Sequence, residues 1–265
     1  MEILGFSAAL FIGIILGLIG GGGSIMTVPV LVYLMGLNPV TATAYSLFVV
    51  GITSLFGSIG NLKRKEVDLK MAVVFAIPSL LSVYFTRKYL IYNLPEILFH
   101  IGDFQVSKNL FLMILFALIM VMTSYSMLKK DFCRDCGDDS GKFNYPLIIA
   151  EGIGVGIITG LVGAGGGFLI IPALVFFARL PIKKAVATSL IIIAAKSLIG
   201  FVGDVQNIAI EWNILLPFTL ISVIGIFLGI YLTRFVNDEK LKKAFGWFVL
   251  LMGIYIIINE LIIGL

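Results

Sequence analysis

Apolar runs of helix length, set apart by short polar stretches, make up most of the chain. They cover residues 3–35, 42–61, 69–90, 109–128, 145–178, 185–203, 213–233 and 244–264. Six of them are near twenty residues long, enough for a helix to cross about 30 Å of hydrocarbon. The other two, 3–35 and 145–178, are longer, and glycines interrupt each near its middle. The first interruption reads Gly17-Leu18-Ile19-Gly20-Gly21-Gly22-Gly23-Ser24, with Pro29 beyond. The second reads Gly160-Leu161-Val162-Gly163-Ala164-Gly165-Gly166-Gly167, with Pro172 beyond. Successive glycines hold an α-helix poorly, because each costs about 1 kcal/mol relative to alanine. Both long runs are therefore predicted to break, at 20–24 and at 163–167.

The two glycine stretches lie 143 positions apart, and residues 17–60 match residues 160–203 without gaps at roughly 17 of 44 positions. This is an internal duplication. It divides the chain into a first repeat at 1–128, a linker at 129–144 and a second repeat at 145–265.

Charge sets the relative orientation of the repeats. Loop 62–70 carries Lys63, Arg64, Lys65 and Lys70, whereas its counterpart 205–213 has no Lys or Arg. Loop 179–184 carries Arg179, Lys183 and Lys184, whereas its counterpart 36–41 has none. Basic loops stay in the cytoplasm, so equivalent loops face opposite sides and the repeats are inverted. An odd number of crossings must then separate them, and 42–61, 69–90 and 109–128 supply it. The broken runs enter and leave on one side, as re-entrant hairpins or sharply bent helices. This arrangement puts 15 of the Lys and Arg residues in the cytoplasm and 3 outside, the latter being Arg87, Lys88 and Lys108. The expected fold class is an all-α multi-pass membrane protein with two inverted repeats, each a Gly-broken helix plus three transmembrane helices. The longer external loop 91–108 is expected to hold a short interfacial helix.

Composition agrees. A hydrophobic fraction of 60%, 13% charge and a mean hydropathy of +1.10 belong in a lipid bilayer. The net charge of +4 reports orientation and does not imply nucleic-acid binding. The N-terminal apolar run leads into the glycines without a cleavage signal and is read as part of the mature protein.

The glycine runs also suggest chemistry. A broken helix is tolerated in a bilayer only against protein or a water-filled cavity. Each half-helix that resumes beyond the break starts near mid-membrane, with free N–H groups and the positive end of its dipole. Such ends bind anions. Candidate substrate-binding residues are accordingly Gly21, Gly22, Gly23 and Ser24, with Gly165, Gly166 and Gly167. Close packing through small residues, as in Gly13/Gly17 and Gly152/Gly156/Gly160, is the competing use. Thr43 and Ser46, with Thr188 and Ser189, could ligate an oxyanion or bond to the preceding helical turn. Lys196 is an ionisable residue inside an apolar run, suited to a negative substrate, to snorkelling or to pairing with Glu151. Glu151 is a candidate carrier of a coupling proton, or an interfacial residue.

Cys133-Arg134-Asp135-Cys136 in the linker supplies two zinc ligands where a tetrahedral site needs four. A homodimer could assemble four, and a regulatory dithiol or an unused thiol pair are the other options. No metal or cofactor is expected, and no catalytic constellation marks an enzyme. The expected partners are the lipid bilayer and a small anionic substrate.

These motifs resemble the sulfite exporter TauE/SafE family of membrane transporters. The resemblance rests on Gly20–Ser24 with Pro29, Gly163–Gly167 with Pro172, and the clusters Ala44-Tyr45-Ser46 and Ala187-Thr188-Ser189. Val67-Asp68 and Ile210-Glu211 also carry it. It covers nearly the whole chain and implies a plasma-membrane exporter of small sulfur oxyanions or organosulfonates. Tyr45 stands where the family's cluster has Thr, and Lys196 and the Cys-X-X-Cys linker are additional features. The alternatives are an anion channel, or a membrane redox or scaffold protein using the Cys133/Cys136 loop.

Overall fold

The computed structural model describes all residues except 1, 102–103, 129–144, 177, 179, 233–234, 236–237 and 264–265. The linker cysteines lie outside the described residues.

Helix α1 (Glu2–Ile19) leads into a 3-10 helix over Gly20–Met26, a single α turn α2 (Thr27–Pro29) and a π-helical turn over Val30–Leu34. Helix α3 (Pro39–Lys63) follows. It starts at Asn38, whose side chain accepts the N–H of Val40, with Pro39 in the first turn, where its missing donor costs nothing. Helix α4 (Leu69–Phe85) starts at Asp68, which accepts the N–H of Met71, and continues through a π-helical turn (Thr86–Leu90) into α5 (Ile91–Asn93). Strands β1 (Ile97–Ile101) and β2 (Phe104–Ser107) pair antiparallel. Then come α6 (Lys108–Leu128), α7 (Tyr145–Val162), α8 (Gly167–Phe176), α9 (Ile182–Asp204), α10 (Trp212–Leu232) and α11 (Asp238–Ile263).

Five helical segments among the described residues are long and apolar enough to cross a membrane: Pro39–Lys63, Leu69–Asn93, Lys108–Tyr125, Lys184–Asp204 and Trp212–Leu232. Leu4–Ile19, Gly23–Leu34, Pro146–Val162 and Gly246–Ile262 are shorter apolar helices. Large apolar side chains such as Leu220, Ile224 and Leu251 cover the outside, as hydrocarbon requires.

One expectation is corrected. Loop 91–108 forms a β-hairpin in place of an interfacial helix, so the fold is helical with one small strand pair. Ile97, Phe99, His100 and Ile101 form a run with β-branched and aromatic residues, which favours strand. The α-helix stops at both glycine runs: α1 ends at Ile19 and a 3-10 stretch follows over Gly20–Met26, while residues 163–166 leave the helix altogether. Gly20 and Gly163 nevertheless share φ +73°, and Gly165 and Gly166 also lie at positive φ, where a Cβ would be strained.

Elements recur at the repeat interval: Glu2, Pro39 and Leu69 open helices, and so do Tyr145, Ile182 and Trp212, each 143 positions later. The contacts recur too. Helix α1 packs on α10, with Gly13 against Ser222 and Gly225, and Gly17 against Ile226 and Gly229. Helix α7 packs on α4, with Gly152 against Phe75 and Pro78, Gly156 against Ser79, and Gly160 against Thr86. Both pairs run parallel and close, as small residues permit. Helices α3 and α9 pack with opposite direction: Leu47 meets Gly200 and Gly51 meets Leu198.

Candidate functional site

The two glycine runs meet at the centre of the protein. A Cβ on Gly21 would lie 2.6 Å from the Cα of Gly167, so the backbones touch where only glycine fits. Around this contact a Cβ on Gly165 would meet Val50, the hydroxyl of Ser197 and Ser24 Cβ. Ser24 donates to the carbonyl of Gly21 at 2.8 Å. The Ser197 hydroxyl is buried without a partner among the described residues.

Lys196 closes this group. Its side chain is 0% exposed, so it does not snorkel. Its Nζ donates to Thr159 Oγ1 at 3.0 Å and stands 2.6 Å from where a Cβ on Gly166 would be. An ammonium has three donors, and among the described residues one neutral hydroxyl takes one of them. Thr159 in turn donates to Val155 O at 2.7 Å. Sequence reasoning missed Thr159 and Ser197. Ser197 was legible as the repeat partner of Ser54, which is likewise buried and unpartnered. Thr159 aligns with Leu16 and left no such trace.

Of the three uses open to Lys196, pairing with Glu151 is not the one the structure shows. Both belong to the α7/α9 side of the molecule, but Glu151 precedes Thr159 by eight residues, about 12 Å along α7. Glu151 Oε2 is buried with no partner among the described residues. A further intramembrane carboxylate escaped notice: Glu260 of α11 accepts the hydroxyl of Tyr33 at 2.9 Å.

The remaining candidates separate from this centre. Thr188 Oγ1 accepts the backbone N–H of Asp68 at 3.0 Å, and Ser189 donates to Val186 O at 2.8 Å. Lys196 lies eight residues beyond Thr188, again about 12 Å along α9. Ser46 is buried, and its hydroxyl has no partner among the described residues. Thr43 packs against Gly163 and accepts from Arg87 Nη1 at 3.1 Å.

Arg87 had been placed in an external position by charge alone. The structure buries it completely, with Nη1 3.4 Å from Asp204 Oδ2. Asp204 also accepts the hydroxyl of Tyr92 at 3.0 Å. The signal for Arg87 was its place in an apolar helix, opposite Ile230 in the second repeat.

A bundle of apolar helices around buried cations defines a multi-pass membrane protein of the cell membrane. The family model described as "Sulfite exporter TauE/SafE" matches residues 5–256, and the chain belongs to that family of membrane transporters. A "Probable membrane transporter protein" of Xylella fastidiosa (strain 9a5c) is 30% identical over 251 residues, covering 93% of this chain and 91% of the relative. The "Probable membrane transporter protein YunE" of Bacillus subtilis (strain 168) is 28% identical over 278 residues, covering 96% of each. No solved structure matches the chain.

Proposed function

We propose that this transporter exports a small oxyanion, such as sulfite or an organosulfonate, from a mid-membrane site between its two glycine runs. The observation that carries this reading is Lys196: a buried ammonium with one neutral partner, held against the backbone of Gly166. A bare cation at this depth is expensive, and a bound anion offsets that cost. The site comprises Gly21–Ser24, Gly165–Gly167, Lys196, Thr159 and Ser197, with Ser46 and Thr43 further along the path. Helix α8 begins at Gly167, so the positive end of its dipole lies at the glycine contact, although the N–H groups of Leu169 and Ile170 already donate to the carbonyl of Gly166 at 3.0 Å. Glu151 is the candidate coupling group.

The two repeats are inverted in this reading. The opposite direction of α3 and α9 and the recurrence of contacts between α1/α10 and α7/α4 support it. Alternating access then amounts to one repeat rocking against the other around the glycine contact.

Flux of labelled sulfite, sulfonates, sulfate and carboxylates into proteoliposomes tests the function. Saturable movement of an anion, driven uphill by an imposed ion gradient, is expected. Flow only down its own gradient would make the protein a channel, and saturable cation transport would remove the anion reading.

A further inference from the structure

Arg87 and Asp204 stand apart from the centre just described, yet the same turn links them to it. Thr43, which accepts from Arg87, packs on Gly163; Lys196 packs on Gly166. Those glycines are three positions apart, so their Cα atoms are at most about 11 Å apart. Along α9, Asp204 lies eight residues beyond Lys196, about 12 Å towards the end where α9 and the π-helical turn of α4 meet. The pair thus sits between the central site and the C-terminal end of α9.

The guanidinium there is only partly used. Arginine offers five N–H donors in a planar fork. Nη1 serves Thr43 and approaches Asp204, while Nε and Nη2 are fully buried with no partner among the described residues. The contact with Asp204 at 3.4 Å is a charge contact longer than a good hydrogen bond. It is also one-sided: the carboxylate does not take the Nε/Nη2 edge that a bidentate pair would use. That edge matches two oxygens of a sulfonate, sulfite or carboxylate. A buried ion pair with free donors is a poor stabilising device, since full satisfaction is what offsets the loss of hydration.

The duplication sharpens the point. The positions equivalent to Arg87, Asp204, Thr43 and Tyr92 are Ile230, Asn61, Val186 and Phe235. A pair needed merely to hold the repeats together would be expected at both ends of the α3/α9 seam. Among the described residues only one end carries it. The same end carries Lys108, whose Nζ lies 5.7 Å from the ring of Tyr92, the residue that hydrogen-bonds Asp204.

Resting on the anion-transport reading above, we infer that Arg87 is a second oxyanion-binding station, with Asp204 as its resident competing counter-ion. An anion leaving Lys196 engages the free Nε/Nη2 edge of Arg87, and the nearby Asp204 carboxylate then repels it onward. Asp204 keeps the station from becoming a trap, and Arg87 gives the anion a partner at a depth where water is scarce.

The test is anion binding to the purified full-length protein in lipid nanodiscs. Sulfite, methanesulfonate and acetate serve as probes, read as thermal stabilisation against concentration. Asp204→Asn is expected to tighten the apparent affinity by roughly tenfold or more, because a like charge beside the anion is removed. Turnover in proteoliposomes should fall in the same variant. Arg87→Lys keeps the charge and loses the fork, and is expected to weaken binding by roughly tenfold. Should a single change unfold the protein, Arg87→Gln combined with Asp204→Asn leaves a neutral hydrogen-bonding pair, and weaker binding is again expected. Asp204→Asn that binds no tighter, or a double variant that binds like the parent, would overturn the assignment. A parent stabilised by none of the probes defeats the underlying anion reading and this station with it. A parent that binds, loses binding on Lys196→Met and ignores changes at Arg87 and Asp204 defeats the station alone.

Discussion

The phenol oxygen of Tyr45 accepts the backbone N–H of Glu211 at 2.6 Å. At the equivalent place in the other repeat, Thr188 accepts the N–H of Asp68 at 3.0 Å. Each hydroxyl reaches across to the residue that precedes a helix of the opposite repeat, α10 in one case and α4 in the other. Tyr45 and Thr188 are therefore matching fasteners between the repeats, although they differ in size. Tyr45→Phe or Thr188→Val would strand a backbone donor and should cost about 1–3 kcal/mol of stability. Thermal unfolding in detergent checks this. A lowered Tm with unchanged anion affinity is expected, whereas weakened affinity at constant Tm would return Thr188 to the binding site.

The contact between Gly21 and Gly167 leaves no room for a side chain on either. Gly165 is constrained twice, by φ +64° and by Val50 Cγ1 at 2.6 Å from its would-be Cβ. Gly165→Val and Gly167→Ala should abolish transport. Expression in the membrane should persist, because the surrounding helices keep their own packing. Normal flux through either variant would remove the glycine contact from the transport path.

Lys196→Met keeps the volume of the stem and removes the charge. Anion affinity should fall by roughly 1–3 kcal/mol, the usual worth of a hydrogen bond to a charged group. Thr159→Val should act in the same direction but more weakly, since it orients the ammonium without supplying the charge. Binding isotherms on both variants measure this, and an unchanged Lys196→Met affinity would separate Lys196 from the substrate.

Orientation is testable with single cysteines in a background carrying Cys133→Ser and Cys136→Ser. The linker position of those two residues, away from both glycine runs, predicts that this background transports like the parent. Cysteines at Gly36 and at Lys184 should label from opposite faces, with Gly36 outside and Lys184 in the cytoplasm. Both termini should label from outside. Labelling of the two loops from one face would end the inverted arrangement.

The sequence alone determined the membrane class, the duplication and the family resemblance. Those properties are written in local composition and in spacing: apolar length, glycine runs 143 residues apart and the sign of loop charges. It also singled out Lys196, because a lysine in an apolar run is conspicuous without any structure. Only the tertiary structure decided which polar residues share a place. Gly21 meets Gly167 and Lys196 meets Thr159 through packing between segments far apart in the chain, and no local pattern encodes that approach. Thr188 and Lys196 were both candidate ligands of one anion, yet about 12 Å of α9 divides them. Arg87 resembled an external loop charge because charge counting sees neither burial nor partners. Its ion pair with Asp204 exists only once α4 and α9 are packed side by side, which brings together two residues 117 positions apart.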